Sequence, residues 1–135
     1  MPRRPQDVTD TELAILQVLW EQGEASRRQI TDALYPEGGP AQYATIQKLL
    51  ERLEAKGYVR HSRTGGMLTF RAAIRRERLI QRRLLDVAEK LCGGSTTPLL
   101  MNLLQARPLD AAELRALEEL VKELSRKHKR PGAEP

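Results

Sequence analysis

Residues 42–71, QYATIQKLLERLEAKGYVRHSRTGGMLTFR, carry side chains suited to hydrogen bonding and charge rather than to nucleophilic attack. Gln42 and Gln47 bear amides that can pair with the edge of adenine. Ala44 and Thr45 can touch a thymine methyl, Lys48 can reach guanine or phosphate, and Tyr43 stands among them. Arg52 follows one turn later, Arg63 lies in a basic run beyond, and Arg28 is upstream. Such cations suit the phosphate contacts that hold a reader in register on a duplex. Catalytic chemistry has no comparable support. His61 and His128 are far apart, Cys92 has no base beside it, and neither a Gly-rich phosphate loop nor an HExxH pattern occurs. No catalytic residue, metal site or cofactor is expected.

To present those residues the chain needs a helix and then a hairpin. Ile46, Leu49, Leu50 and Leu53 recur at helical spacing and form one apolar stripe, and Gly57 is placed as a helix stop. Residues 58–63 and 67–71 alternate like strands around Thr64-Gly65-Gly66, the signature of a hairpin, with Val59, Leu68 and Phe70 facing the core. Six basic residues (Lys48, Arg52, Lys56, Arg60, Arg63 and Arg71) stand against Glu51 and Glu54, a local balance of +4 within a chain of +5. Charge gathered on one helix and hairpin points to a polyanion more strongly than the total does.

Two further helices are expected in front. Thr9 with Glu12, and Ser26 with Gln29, have capping-box spacing and start helices over residues 9–21 and from 26. Leu13, Leu16, Val18, Leu19 and Trp20 face the core from the first; Ile30, Ala33 and Leu34 do so from the second. Gly23 ends one helix and Tyr35-Pro36 the other; residues 37–40 form a turn. Arg27 and Arg28 share the first turn of the second helix. The whole is a helix-turn-helix arrangement in which the third helix enters the major groove and the hairpin flanks it as a wing. Residues 1–7, with Arg3 and Arg4, read as a polar arm.

Composition changes from residue 73 onward. Residues 73–91 form a helix without Gly or Pro, bearing Arg75, Arg76, Arg78, Arg82 and Arg83 on a solvated face. Gly93-Gly94 stops it, Thr97 with Pro98 begins a short apolar helix, and Asp110 with Glu113 caps a last one. A polar tail expected to fray follows from residue 126. So thin a Leu-rich layer cannot cover its own apolar surface, so a homodimer is expected. Its interface would be built from Leu84, Leu91, Leu99, Leu100, Leu103, Leu104, Leu114, Leu117 and Val121. The expectation is a mostly α fold with a small β-hairpin wing: a winged helix-turn-helix domain over residues 1–72 and a three-helix dimerisation domain with a polar tail over 73–135.

The chain has 135 residues, pI about 9.7, and a single cysteine, which excludes an internal disulfide and fits a reducing compartment. No apolar run suits a signal peptide or a membrane span, so a cytoplasmic protein without stable membrane association is expected.

The order VTDTELAILQVLWEQGEASRRQITDAL, YATIQKLLERLEAKGYV, a Gly-containing wing, a long helix ending LCGGS and a final LDAAELRALEELV resembles the penicillinase-repressor and methicillin-resistance-repressor family of bacterial regulators. The match covers nearly residues 8–125. The resemblance implies a homodimeric repressor on a palindromic, dyad-symmetric DNA operator, and a link to antibiotic response. It also implies induction through a membrane-bound β-lactam sensor that triggers cutting of the repressor at an Asn-Phe bond. The matching bond here is Asn102-Leu103, with Leu in place of Phe. Ala44 stands where the family's reader carries a hydroxyl, while Thr45 keeps its place. A winged-helix module that docks protein rather than DNA is the alternative, and the local +4 argues against it.

Overall fold

The computed structural model describes residues 7–129; Arg3 and Arg4 lie outside that range. The elements run α1 (Asp10–Gln22), β1 (Ala25–Ser26), α2 (Arg27–Leu34), α3 (Pro40–Ala55), β2 (Val59–Thr64), β3 (Met67–Ala72), α4 (Arg76–Cys92), α5 (Thr97–Ala106) and α6 (Ala111–Lys129). The fold is mostly helical with a small antiparallel sheet, as the sequence pattern implies. One compact unit ends at Arg83 and a second begins at Leu84.

Local rules shape the first unit. Thr9 and Glu12 exchange hydrogen bonds at the start of α1, as do Ser26 and Gln29 at the start of α2, so both capping boxes form. At the end of α3, Tyr58 N–H donates to Leu53 O and Gly57 N–H to Glu54 O. With Gly57 at φ 83° this is a Schellman stop, a backbone conformation an L side chain would strain. Gly65 and Gly66, at φ 59° and 83°, make the two-residue turn between β2 and β3. The ladder runs from Thr64↔Met67 to Val59↔Ala72.

The hairpin is not alone. β1 pairs with β3 through Ala25↔Phe70 and Ser26↔Thr69, giving the order β1-β3-β2. Glu24 ties this edge down, its Oε2 accepting from Thr69 Oγ1 at 2.8 Å and Ser62 Oγ at 3.2 Å. A strand of two residues has no periodicity to reveal it. Ile15, Leu16 and Leu19 of α1, Ile30 of α2, Ile46, Leu50 and Leu53 of α3, and Val59 and Phe70 of the hairpin form one core. Ala33 is exposed, against expectation. The buried residues of α2 are Ile30 and Thr31, with Leu34 half-buried, so its inner face is centred toward Thr31 and Ala33 lies beyond the opposite edge.

The first unit extends beyond residue 72, where sequence pattern placed the domain boundary. Ala73 N–H donates to Tyr58 O at 2.7 Å and prolongs the hairpin, so α4 starts only at Arg76. Leu79 enters the core and Trp20 Nε1 donates to Ile74 O at 2.8 Å. Three of the arginines expected on a solvated face of α4 turn back onto this unit. Arg76 lies 5.2 Å from the Trp20 ring, Arg82 donates to Tyr58 Oη at 2.8 Å, and Arg83 donates to Val8 O at 2.7 Å.

In the second unit, Gly93 and Gly94 end α4 with positive φ. The N-cap of α5 is Thr96 rather than Thr97, and it makes no side-chain capping bond. Asp110 and Glu113 exchange hydrogen bonds at the start of α6. That helix continues to Lys129, through the segment expected to fray from residue 126. Among the described residues no helix is long and apolar enough to cross a membrane.

Candidate nucleic-acid interface

The stripe Ile46, Leu49, Leu50 and Leu53 is buried, which forces the intervening positions of α3 outward. Ala44, Thr45, Lys48 and Arg52 are exposed; Gln42, Tyr43 and Gln47 are half-buried. The hairpin stands beside the C-terminal part of α3. Gln47, Glu51 and Glu54 of α3 and His61, Ser62 and Arg63 of β2 line one cleft floored by Leu50, Leu68 and Phe70. Arg28 lines another with Tyr43 and Gly39, at the N-terminus of α3. The structure therefore brings Arg28 to Tyr43 and Gln47 to Arg63. Lys48 and Arg52 stand exposed on α3.

Several of these side chains are already engaged. Gln42 Oε1 accepts from Gly39 N–H at 3.0 Å, which makes Gln42 part of the helix cap. Tyr43 packs beneath the Arg27 guanidinium, 4.8 Å from its ring centroid. Thr45 Oγ1 donates to Ala41 O at 3.0 Å, and the residue is exposed. Gln47 Nε2 donates to Glu51 Oε2 at 2.7 Å, while Gln47 Oε1 is buried with no hydrogen-bond partner among the described residues. His61 Nδ1 meets Glu54 Oε2 at 2.5 Å, joining β2 to α3.

Lys56, counted above among the cations of this surface, points elsewhere. Its Nζ lies 2.8 and 3.1 Å from the carboxylate oxygens of Glu12 and 2.6 Å from Asp7 O. Glu12 is 0% exposed. Burial by itself would push the Glu12 carboxyl up, but hydrogen bonds from Lys56 and from Thr9 N–H, with the Lys56 charge, outweigh it and hold the group below its ordinary value. This pair fixes the C-terminal end of α3 to the start of α1. No local pattern announces it, because Lys56 and Glu12 are 44 residues apart. The Glu51–Gln47 pair, at i, i+4 spacing, did have a sequence signal.

The remaining exposed cations, Arg28, Lys48, Arg52, Arg60, Arg63 and Arg71, lie on α2, α3 and the hairpin. Among the described residues, no group of three or more His, Cys, Asp or Glu is placed to hold a metal ion. A surface of this kind can do one thing well: place short donors and cations against a rigid anionic ligand.

The family profile described as penicillinase repressor matches residues 8–123. An uncharacterised 16.5 kDa protein from the ptsI 3′ region of Latilactobacillus sakei is 23% identical over 121 residues, which span 90% of this chain and 82% of that protein. Two solved structures are also similar. A MarR family protein from Bacillus stearothermophilus is 22% identical with a TM-score of 0.49, covering 91% of this chain and 76% of that one. A point mutant of ZitR from Lactococcus lactis is 15% identical with a TM-score of 0.44, covering 96% of this chain and 81% of that one.

Proposed function

The chain belongs to the penicillinase repressor family of transcriptional regulators, and from that premise we propose that it is a homodimeric repressor whose winged helix binds a palindromic DNA operator. The observation that carries the reading is the outer surface of α3 and the hairpin. Ala44, Thr45, Lys48 and Arg52 are exposed on it, and on this reading they meet the major groove while the exposed Arg28 and Arg63 meet the flanking phosphates. Among the described residues of the first unit the exposed large apolar ones are Met67 and Ile80, and neither lies on α3. That composition suits a nucleic acid better than an apolar protein groove.

The second unit supports the dimer. Leu84, Leu91, Leu100, Leu103, Leu104, Leu114, Leu117 and Val121 are all exposed in the protomer, Leu91 to 80%, whereas Leu99 is half-buried. An apolar surface of that extent calls for a partner, and a second copy of the same three helices supplies one. A dimer then reads two half-sites about one helical turn of DNA or more apart. Release by proteolysis fits the same region. Asn102 and Leu103 are exposed in α5, which buries no residue within the protomer, so local opening of that helix costs little. Cutting there would separate α6 from the DNA-binding unit and dissolve the dimer.

The test is fluorescence anisotropy of the purified dimer on its own upstream DNA and on random duplex, across a salt series. The expected result is preference for the upstream DNA by roughly a thousandfold or more, with affinity falling steeply with salt. Equal affinity for both duplexes at moderate salt would refute a specific repressor.

A further inference from the structure

The reader helix carries two carboxylates on the side that faces the wing, and each holds a polar neighbour. Glu51 takes an amide hydrogen of Gln47 at 2.7 Å, and Glu54 meets His61 of β2. The first contact bears on sequence reading. A glutamine recognises adenine by donating from Nε2 to N7 while Oε1 accepts from the exocyclic amine. In this structure one Nε2 hydrogen is given to Glu51 and the second stays free, while Oε1 is buried and meets no donor among the described residues. In the orientation that Glu51 holds, Oε1 is out of reach, so Gln47 cannot offer the paired donor and acceptor to a base until its amide turns.

We propose that Glu51 is a specificity-determining positioning residue, which keeps Gln47 off the base edges so that sequence is read by the other exposed groups of α3. The inference rests on the repressor reading above. The cleft also accounts for why the restraint holds. Gln47 is half-buried, lines the cleft with Leu50, Glu51 and residues of β2, and already gives one amide hydrogen to Glu51. Glu51 is exposed on α3, so its loss leaves the core intact. A carboxylate near phosphates also repels DNA of every sequence, so general affinity must be separated from base preference.

The experiment is a double-mutant cycle on the full chain. Binding-site selection and anisotropy would be run on wild type, Glu51→Ala, Gln47→Ala and the double variant, with Glu51→Gln as a control. Gln47→Ala is expected to leave the preferred site of the wild type unchanged. Glu51→Ala should gain a preference for adenine at one position in each half-site, of roughly tenfold. The double variant should lose that gain. Glu51→Gln keeps an oxygen that can accept from Gln47, so it should bind all DNA more tightly without the new preference. If Gln47→Ala shifts base preference equally with Glu51 present and absent, or shifts it in neither background, the inference is overturned. A wild type with no preference at all would refute the repressor reading itself, and the wild-type arm alone shows that.

Discussion

Lys56→Met isolates the energetics of the link between α1 and α3. Methionine keeps the length and most of the apolar stem but removes the charge, leaving the fully buried Glu12 carboxylate with the Thr9 N–H as its hydrogen-bond donor among the described residues. Breaking a buried pair by deleting one partner costs about 3–5 kcal/mol. Because the Lys56 side chain is 19% exposed and water can replace part of it, the low end applies, about 3 kcal/mol at pH 7. The dependence on pH gives the sharper test. In the wild type the Glu12 carboxyl is held below its ordinary value, so its contribution is present at neutral pH and is lost as pH falls through that lowered value. In the variant, burial acts without Lys56 to oppose it and the carboxyl moves up instead. Protonation then relieves the unpaired charge, so the gap between the two proteins should narrow steadily as pH drops below neutral. Urea titrations at fixed protein concentration, followed by fluorescence of the single tryptophan, Trp20, report the first unit directly. The double variant Glu12→Gln/Lys56→Met removes both charges and should recover more than half of the loss. A pH-independent gap, or a double variant as unstable as Lys56→Met, would refute the account of a desolvated carboxylate held by Lys56.

Three further outcomes are expected. Arg63→Ala should weaken binding to all DNA sequences about equally and lower the slope of log affinity against log salt by about 1, measured by anisotropy. Leu117→Glu, on the exposed apolar face of α6, should shift the protein from dimer to monomer in sedimentation experiments and reduce operator affinity at least tenfold, while the first unit stays folded. Gly66→Ala meets no steric obstacle, since an added Cβ has no neighbour within 4 Å, yet its φ of 83° strains an L residue. The cost should be about 1 kcal/mol in the same urea titration.

Much of what has its cause within a few residues was legible in the sequence, though the N-cap of α5 fell at Thr96 rather than Thr97. The capping boxes of Thr9 and Ser26 act over three positions, the Gly57 stop closes its own helix, and Gly65-Gly66 sets the turn it occupies. The apolar stripe of α3 likewise determined which of its side chains face outward. What tertiary structure decided involves partners distant in the chain. β1 exists because Ala25 and Ser26 meet Phe70 and Thr69, and two residues carry no period of their own. Lys56 reads as one more surface cation until the fold brings it to Glu12. Arg82 and Arg83 read as a solvated face until α4 lies against Tyr58 and Val8. Gln47 shows the limit most clearly. Its type and place on α3 mark it as a base reader, but its carbonyl oxygen is buried and one of its amide hydrogens is given to Glu51. A side chain's chemistry is a property of its residue, whereas its availability depends on which neighbours satisfy it first, and packing chooses those.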